Sequence, residues 1–147
     1  MKILALIIGI TMLFNSYGYG EKSEVDTDKE QRSIYLEHYE ECKTVNEILK
    51  DEDFRSVWCE KNKLILQDSK FNEIKVIKLT VKKFHKICRV IYKDKYGNLF
   101  FRLGGSFDDE WGIVIVNNPD NINFDGYPTS VKLLDDCYYF SSYSDDW

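Results

Sequence analysis

Hydrophobic positions change their spacing once along the chain, from a helical to a strand-like pattern. Between residues 34 and 45, apolar and aromatic residues recur every three or four positions, which predicts an amphipathic helix. Thr44 and Glu47 have the spacing of a capping box, so a second short helix is expected to begin at Thr44. Asp53 is suited to cap a third helical turn that contains residues 57–59.

The rest of the chain has the pattern of β-strands. Short runs rich in β-branched and aromatic residues alternate with turn residues. These runs cover residues 64–66, 74–81, 87–92, 99–103, 113–116, 131–134 and 138–140. Residues 93–98 have the composition of a hairpin turn, and no gap between runs holds a crossover helix, so the strands are expected to be antiparallel. The sequence therefore predicts an α+β fold, with short N-terminal helices packed on a curved antiparallel sheet of five to seven strands.

The N-terminus has the layout of a secretory signal peptide. An unbroken run of twelve apolar residues, 3–14, follows a positively charged start and precedes a short segment of small and polar residues. Such a run would cover only ~18 Å as a helix, whereas the hydrocarbon core of a bilayer is ~30 Å thick. We therefore expect a signal peptide over residues 1–20 that is cleaved after Gly20, with Gly18 as the alternative.

The segment after the signal peptide divides into a leader and one domain. Residues 21–30 are charged and lack apolar periodicity, which predicts a flexible acidic leader. Residues 31–147 are predicted to form a single α+β domain, and 44% hydrophobic residues across the chain suffice for its core. No later stretch is apolar enough to cross a membrane, so the mature protein is expected to be secreted or periplasmic.

The cysteine content fits an oxidising compartment. The chain has four cysteines, Cys42, Cys59, Cys88 and Cys137. An even number without metal-ligand spacing predicts two disulfides in an exported protein. Three pairings are possible, and the one we expect is Cys42 with Cys59 and Cys88 with Cys137.

Metal-binding motifs are incomplete. The two histidines, His38 and His85, have no paired ligand spacing with the cysteines. Residues 121–126 resemble the start of a calcium loop, but Lys132 stands where the bidentate glutamate is required. We expect neither a metal nor a cofactor.

Charge is arranged in three blocks that the net value of −5 conceals. Residues 21–60 have a net charge of −7, residues 61–103 of +9 and residues 104–147 of −8. One interpretation is that the central cations pair across strands with the acidic segments. The cations concerned are Lys75, Lys78, Lys82, Lys83, Lys86 and Arg89. The other is that separate charged surfaces dock a protein partner, and a nucleic acid is not expected because the acidic blocks would repel phosphates.

The segment 104–112 is the most distinctive local sequence. Its glycines predict a turn that presents three carboxylates, and the aromatic C-terminus is a second candidate for recognition. The candidate partner-binding residues are Asp108, Asp109, Glu110, Trp111, Tyr143 and Trp147. Trp111 could alternatively be a core anchor. Neighbouring carboxylates on a strand point to opposite faces, so no catalytic residues are assigned.

These features favour an exported small binding protein that acts on another macromolecule without catalysis. An immunity or inhibitor protein against a toxin or a cell-wall enzyme is the most concrete version, and its partner would be a basic enzyme or toxin. One alternative is a small hydrolase that uses Asp or Glu carboxylates. Another is a structural or ligand-carrying domain with a pocket on the apolar strand faces between Val76 and Phe101.

Overall fold

A computed structural model describes residues 32–106 and 109–142. The chain divides into two units, Met1–Ile34 and Tyr35–Trp147, and the account below concerns the second. The predicted signal peptide and acidic leader lie outside the described residues, as do Asp108, Tyr143 and Trp147 among the candidate binding residues.

Helix α1 (Tyr39–Leu49) realises the predicted amphipathic pattern. Its buried face carries Cys42, Val45 and Leu49, which recur at three- and four-residue spacing. The second helix expected at Thr44 is wrong, because the Thr44 hydroxyl donates a hydrogen bond to the Glu40 carbonyl (2.9 Å) within one continuous helix. In the described part of the chain, no helix combines the length and apolar composition that crossing a membrane requires.

The described domain is mostly one antiparallel sheet of eight strands. The strands are β1 (Ser56–Glu60), β2 (Lys63–Gln67), β3 (Glu73–Lys78), β4 (Val90–Lys93), β5 (Leu99–Gly105), β6 (Glu110–Ile115), β7 (Thr129–Leu134) and β8 (Cys137–Ser141). Their order across the sheet is β3-β2-β1-β4-β5-β6-β8-β7. A one-turn helix, α2 (Phe84–Ile87), precedes β4. The antiparallel arrangement is confirmed, but the predicted count of five to seven strands is wrong.

The additional strand is β1, which the sequence pattern presented as a helical turn after Asp53. Val57 and Cys59 are buried and Trp58 between them is exposed, which is the alternation of a strand. Asn62 has a φ of 62° and allows the short reversal that pairs β1 with β2. Pairing with β2 and β4 therefore outweighs the local helical signal.

The main core lies on the sheet face that packs against α1. Leu64, Leu66, Ile91, Leu99 and Phe101, on strands β2, β4 and β5, are all fully buried there. Phe84 anchors α2 to the same core through an edge-on contact with Phe101, with ring centroids 6.4 Å apart. The sheet face packed against α1 is thus filled by the protein's own side chains.

All four cysteines are free thiols and are buried, so the two predicted disulfides are absent from the structure. The expected pairing also conflicts with the sheet order. Cys88 immediately precedes the β4 region and Cys137 begins β8, so three strand spacings of ~4.8 Å separate them. Measured along the sheet, this path is ~14 Å, whereas a disulfide spans at most ~7 Å between Cα atoms.

The opposite sheet face is covered over only part of its width. Phe100, Val114 and Phe140 form a second cluster on β5, β6 and β8, and Phe124 and Tyr127 from the loop after β6 pack on it.

Hydrogen bonds of the fully buried Asn98 side chain hold that loop in place. Its oxygen accepts hydrogen bonds from the backbone amides of Asn117 (2.9 Å) and Asn118 (2.8 Å), and its amide group donates to Asp94 and to the Asn121 carbonyl. The loop stops at this cluster, and among the described residues Trp58 on β1 and Val76 on β3 stay exposed on the same face.

Candidate functional site

Two adjoining depressions, lined by residues of β1, α2, β4 and β5, share Trp58, Lys86 and Arg89. Their volumes are about 410 and 590 Å³. Lys61 lines one end and Arg102 the other. We call the surface formed by these five residues the Trp58 groove.

Trp58 occupies an outward position in the middle of β1, and 44% of its surface is exposed. It lies directly opposite Ile65 on β2, which in turn lies opposite Val76 on the edge strand β3. Residues paired in this way lie side by side on one face of an antiparallel sheet. The three side chains therefore form an apolar row leading from the groove to the sheet edge, and Val76 at its end is 47% exposed.

The cations of the groove are positioned by the turns beside β1 and β4. Lys61 lies in the β1–β2 turn, Lys86 on α2 and Arg89 between α2 and β4. Helix α2 is held in place by Phe84, which is 1% exposed. Among residues 32–106 and 109–142, no carboxylate forms an ion pair with Lys61, Lys86 or Arg89.

Within the described residues, none of the six central cations pairs with a carboxylate across strands, and only Lys75 has a carboxylate partner at all. Lys75 contacts Glu52 (2.7 Å), which follows α1 and does not belong to a neighbouring strand. The other five form no ion pair within the described ranges, and they are Lys78, Lys82, Lys83, Lys86 and Arg89. The positive block of the sequence thus stays largely unneutralised around the groove.

Glu110, predicted to face a partner, is already engaged within the domain. Its carboxylate lies 3.6 Å from Arg102 Nε and accepts a hydrogen bond of 2.6 Å from the Tyr127 hydroxyl. Burial, followed by the contact with Glu110, raises the pKa of the Tyr127 phenol above its usual value. Arg102 at the end of the groove therefore has a carboxylate partner, whereas Lys86 and Arg89 do not.

Trp111 is half-buried and packs within the domain. Its indole lies against Gly104, where an added Cβ would collide with the ring, and Tyr35 lies 6.0 Å away between ring centroids. The Asp109 carbonyl accepts a hydrogen bond from the Ser106 amide (2.9 Å) and closes the loop. The structure thus gives Trp111 intramolecular contacts and leaves the role of Asp109 in binding as a prediction.

Trp58 is not among the candidate binding residues of the sequence because residues 57–59 are predicted to form a helical turn. The available signal was the alternation in residues 56–60, which places a tryptophan on the solvent side of a strand. Lys86 and Arg89 were noted only as members of the basic block.

In the part of the chain that the structure describes, no three His, Cys, Asp or Glu side chains are grouped to hold a metal ion.

Comparison of the chain with models of known protein families, with curated proteins and with solved structures found no match.

Proposed function

We propose that the protein is an exported, non-catalytic binding domain whose Trp58 groove takes an acidic segment of a protein partner. The observation that carries the proposal is a partly exposed tryptophan beside three cations without carboxylate partners in the described chain. Export rests on the signal-peptide pattern of residues 1–20.

The chemistry of the groove suits a segment that combines carboxylates with an apolar side chain. Tryptophan and arginine are the residues that most often dominate binding energy at protein interfaces. The row from Trp58 to Val76 offers apolar contact area, while Lys61, Lys86 and Arg89 attract carboxylates and accelerate association. A cation without an internal partner gains an ion pair on binding and does not have to break one.

In the most concrete version, the protein is an immunity or inhibitor protein that covers an acidic surface of a toxin or a cell-wall enzyme. This version differs from the basic partner expected from the acidic loop. We expect an acidic partner in place of a basic one for two reasons. The Glu110 carboxylate is held by Arg102 and Tyr127, and the cations at the groove have no carboxylate partners among the described residues.

The test uses a fluorescently labelled random copolymer of glutamate and tyrosine as an acidic, aromatic polypeptide probe. Fluorescence anisotropy should show binding that weakens with added salt, because exposed charges are screened within ~8 Å at physiological ionic strength. The double variant Lys86→Glu/Arg89→Glu should bind much more weakly. Lys132→Glu, on the edge strand β7 at the opposite end of the sheet, is a single charge reversal remote from the groove and should bind as the wild type does.

Three results would overturn the proposal. They are the absence of copolymer binding, an equal loss with Lys132→Glu, and equally tight binding of single-stranded DNA. The last would show that the groove responds to negative charge alone.

A further inference from the structure

The geometry points to one specific oxidised form of this protein, in which Cys59 is joined to Cys88 in preference to Cys42 or Cys137. The bond would link strand β1 to the junction between α2 and β4. It differs from both disulfides expected from the sequence, and it depends on tertiary proximity alone.

Cys59 and Cys88 are neighbours across the β1–β4 pair. The Cys59 amide donates a hydrogen bond to the Arg89 carbonyl (2.8 Å), and Trp58 lies opposite Val90. Cys88 is therefore adjacent to the position facing Cys59. Facing Cα atoms in antiparallel strands are ~4.5–5.5 Å apart and the rise per residue is ~3.4 Å, so Cα atoms one position off a facing pair are ~6 Å apart, within the ~4.4–6.8 Å found for disulfides.

The two thiols also meet through their side chains inside the core. Cys59 is 4% exposed and Cys88 is 1% exposed. After burial, the neighbouring Cys59 thiol is the largest cause that raises the pKa of Cys88. Cys88 Sγ in addition lies 3.2 Å from the Val90 carbonyl oxygen, to which it donates.

The other two cysteines are less suited to pair with Cys59. Cys137 starts β8, four strand spacings from β1 in the sheet order, which corresponds to ~19 Å. Cys42 lies on α1, in the layer above the sheet. It is close enough for electrostatic influence from Cys137 and Cys59, but the described residues give it no hydrogen bond with another thiol.

Oxidation requires an external acceptor of two electrons, and a small-molecule disulfide such as oxidised glutathione is the class we name. One cysteine thiolate attacks the acceptor disulfide and releases one glutathione thiol, and the second cysteine then displaces the other. The two protein thiols lose two protons and two electrons in total, and the acceptor is reduced to two thiols. Burial raises the pKa of Cys88 well above its usual value, so Cys88 holds little of the reactive thiolate in the folded protein, and Cys59 is itself buried. The reaction is therefore expected during folding.

The position of the bond gives it a consequence for binding, which rests on the proposed function. Cys59 directly follows Trp58, and Cys88 directly precedes Arg89. The bond would fix the two sides of the Trp58 groove relative to each other and so reduce the ordering required on binding.

The sequence allows a direct test, because trypsin places each cysteine in a separate peptide. The four peptides are residues 33–43, 56–61, 87–89 and 133–147. The protein is refolded from denaturant in a buffer of oxidised and reduced glutathione, free thiols are alkylated, and the digest is analysed without reduction. We expect the intact mass to be lower by two hydrogens for this bond. We expect the digest to contain a linked peptide formed from residues 56–61 and 87–89.

Cys88→Ser should abolish the linked peptide, whereas the matched variant Cys137→Ser should retain it. If a variant fails to fold, the presence or absence of the linked peptide in the wild-type digest tests the inference by itself. Linkage of Cys59 to Cys42 or Cys137, or complete alkylation of Cys59 and Cys88, would overturn the inference. Because the readout is covalent, its failure is distinguishable from a failure of the groove to bind the acidic copolymer.

Discussion

Removal of the Trp58 side chain should weaken binding of an acidic polypeptide without unfolding the protein. A tryptophan buries roughly 150–250 Å² when fully covered. With 44% of Trp58 exposed, about 90 Å² remains for a partner to cover. At ~25 cal/mol per Å², this area corresponds to about 2 kcal/mol, or a loss of affinity of about 30-fold in Trp58→Ala.

The assay is a titration of the labelled glutamate–tyrosine copolymer by anisotropy, with the fold of each variant verified by circular dichroism and thermal melting. Tyr96→Ala is the matched control, since Tyr96 is 37% exposed and lies in the turn between β4 and β5, outside the groove. Tyr96→Ala should leave the affinity unchanged. A folded Trp58→Ala protein that binds within about twofold of the wild type would refute the area argument.

Three further predictions concern stability and processing. Asn98→Ala should lower the free energy of unfolding by about 2–5 kcal/mol in chemical denaturation. The substitution leaves two loop amides and one carbonyl without the hydrogen bonds that Asn98 makes to them. A loss below about 1 kcal/mol would contradict this role of Asn98. Burial alone would raise the pKa of Asp136, but the hydrogen bond from the Tyr39 hydroxyl and the ion pair with Lys43 (3.2 Å) outweigh burial and hold the pKa below its usual value. The stability that Asp136 contributes is therefore present above the unfolded pKa of ~3.9 and is lost as pH falls through the lower folded pKa. Asp136→Asn should flatten the acid limb of a plot of unfolding free energy against pH. An unchanged acid limb would exclude this assignment. A mass spectrum of the exported protein should show a chain starting at Glu21, whereas retention of residue 1 would contradict cleavage of a signal peptide.

Local pattern predicted most of the sheet. Seven runs of β-branched and aromatic residues became strands, and the turn at residues 93–98 joins β4 and β5. The exception is β1, which the local pattern did not predict as a strand. A five-residue segment offers too little periodicity to distinguish one helical turn from a strand, so its pairing with β2 and β4 decided the outcome.

The candidate site was less accessible to sequence reasoning. The positive block was recognised, but which cations have carboxylate partners depends on distances between segments far apart in the chain. Lys75 contacts Glu52, and Glu110 contacts Arg102, while Lys86 and Arg89 have no such partner among the described residues. A count of charges along a segment does not contain this information.

The sequence by itself determined the antiparallel class, the amphipathic helix α1 and the division of charge into three blocks, because each follows from residue type and spacing over a few neighbours. Only the tertiary structure decided the strand order, and with it the proximity of Cys59 to Cys88 and the exposure of Trp58. The loop held by Asn98 covers the β5–β6–β8 part of one sheet face and stops short of β1. Long-range packing of this kind determines which apolar residues become core and which stay available to a partner.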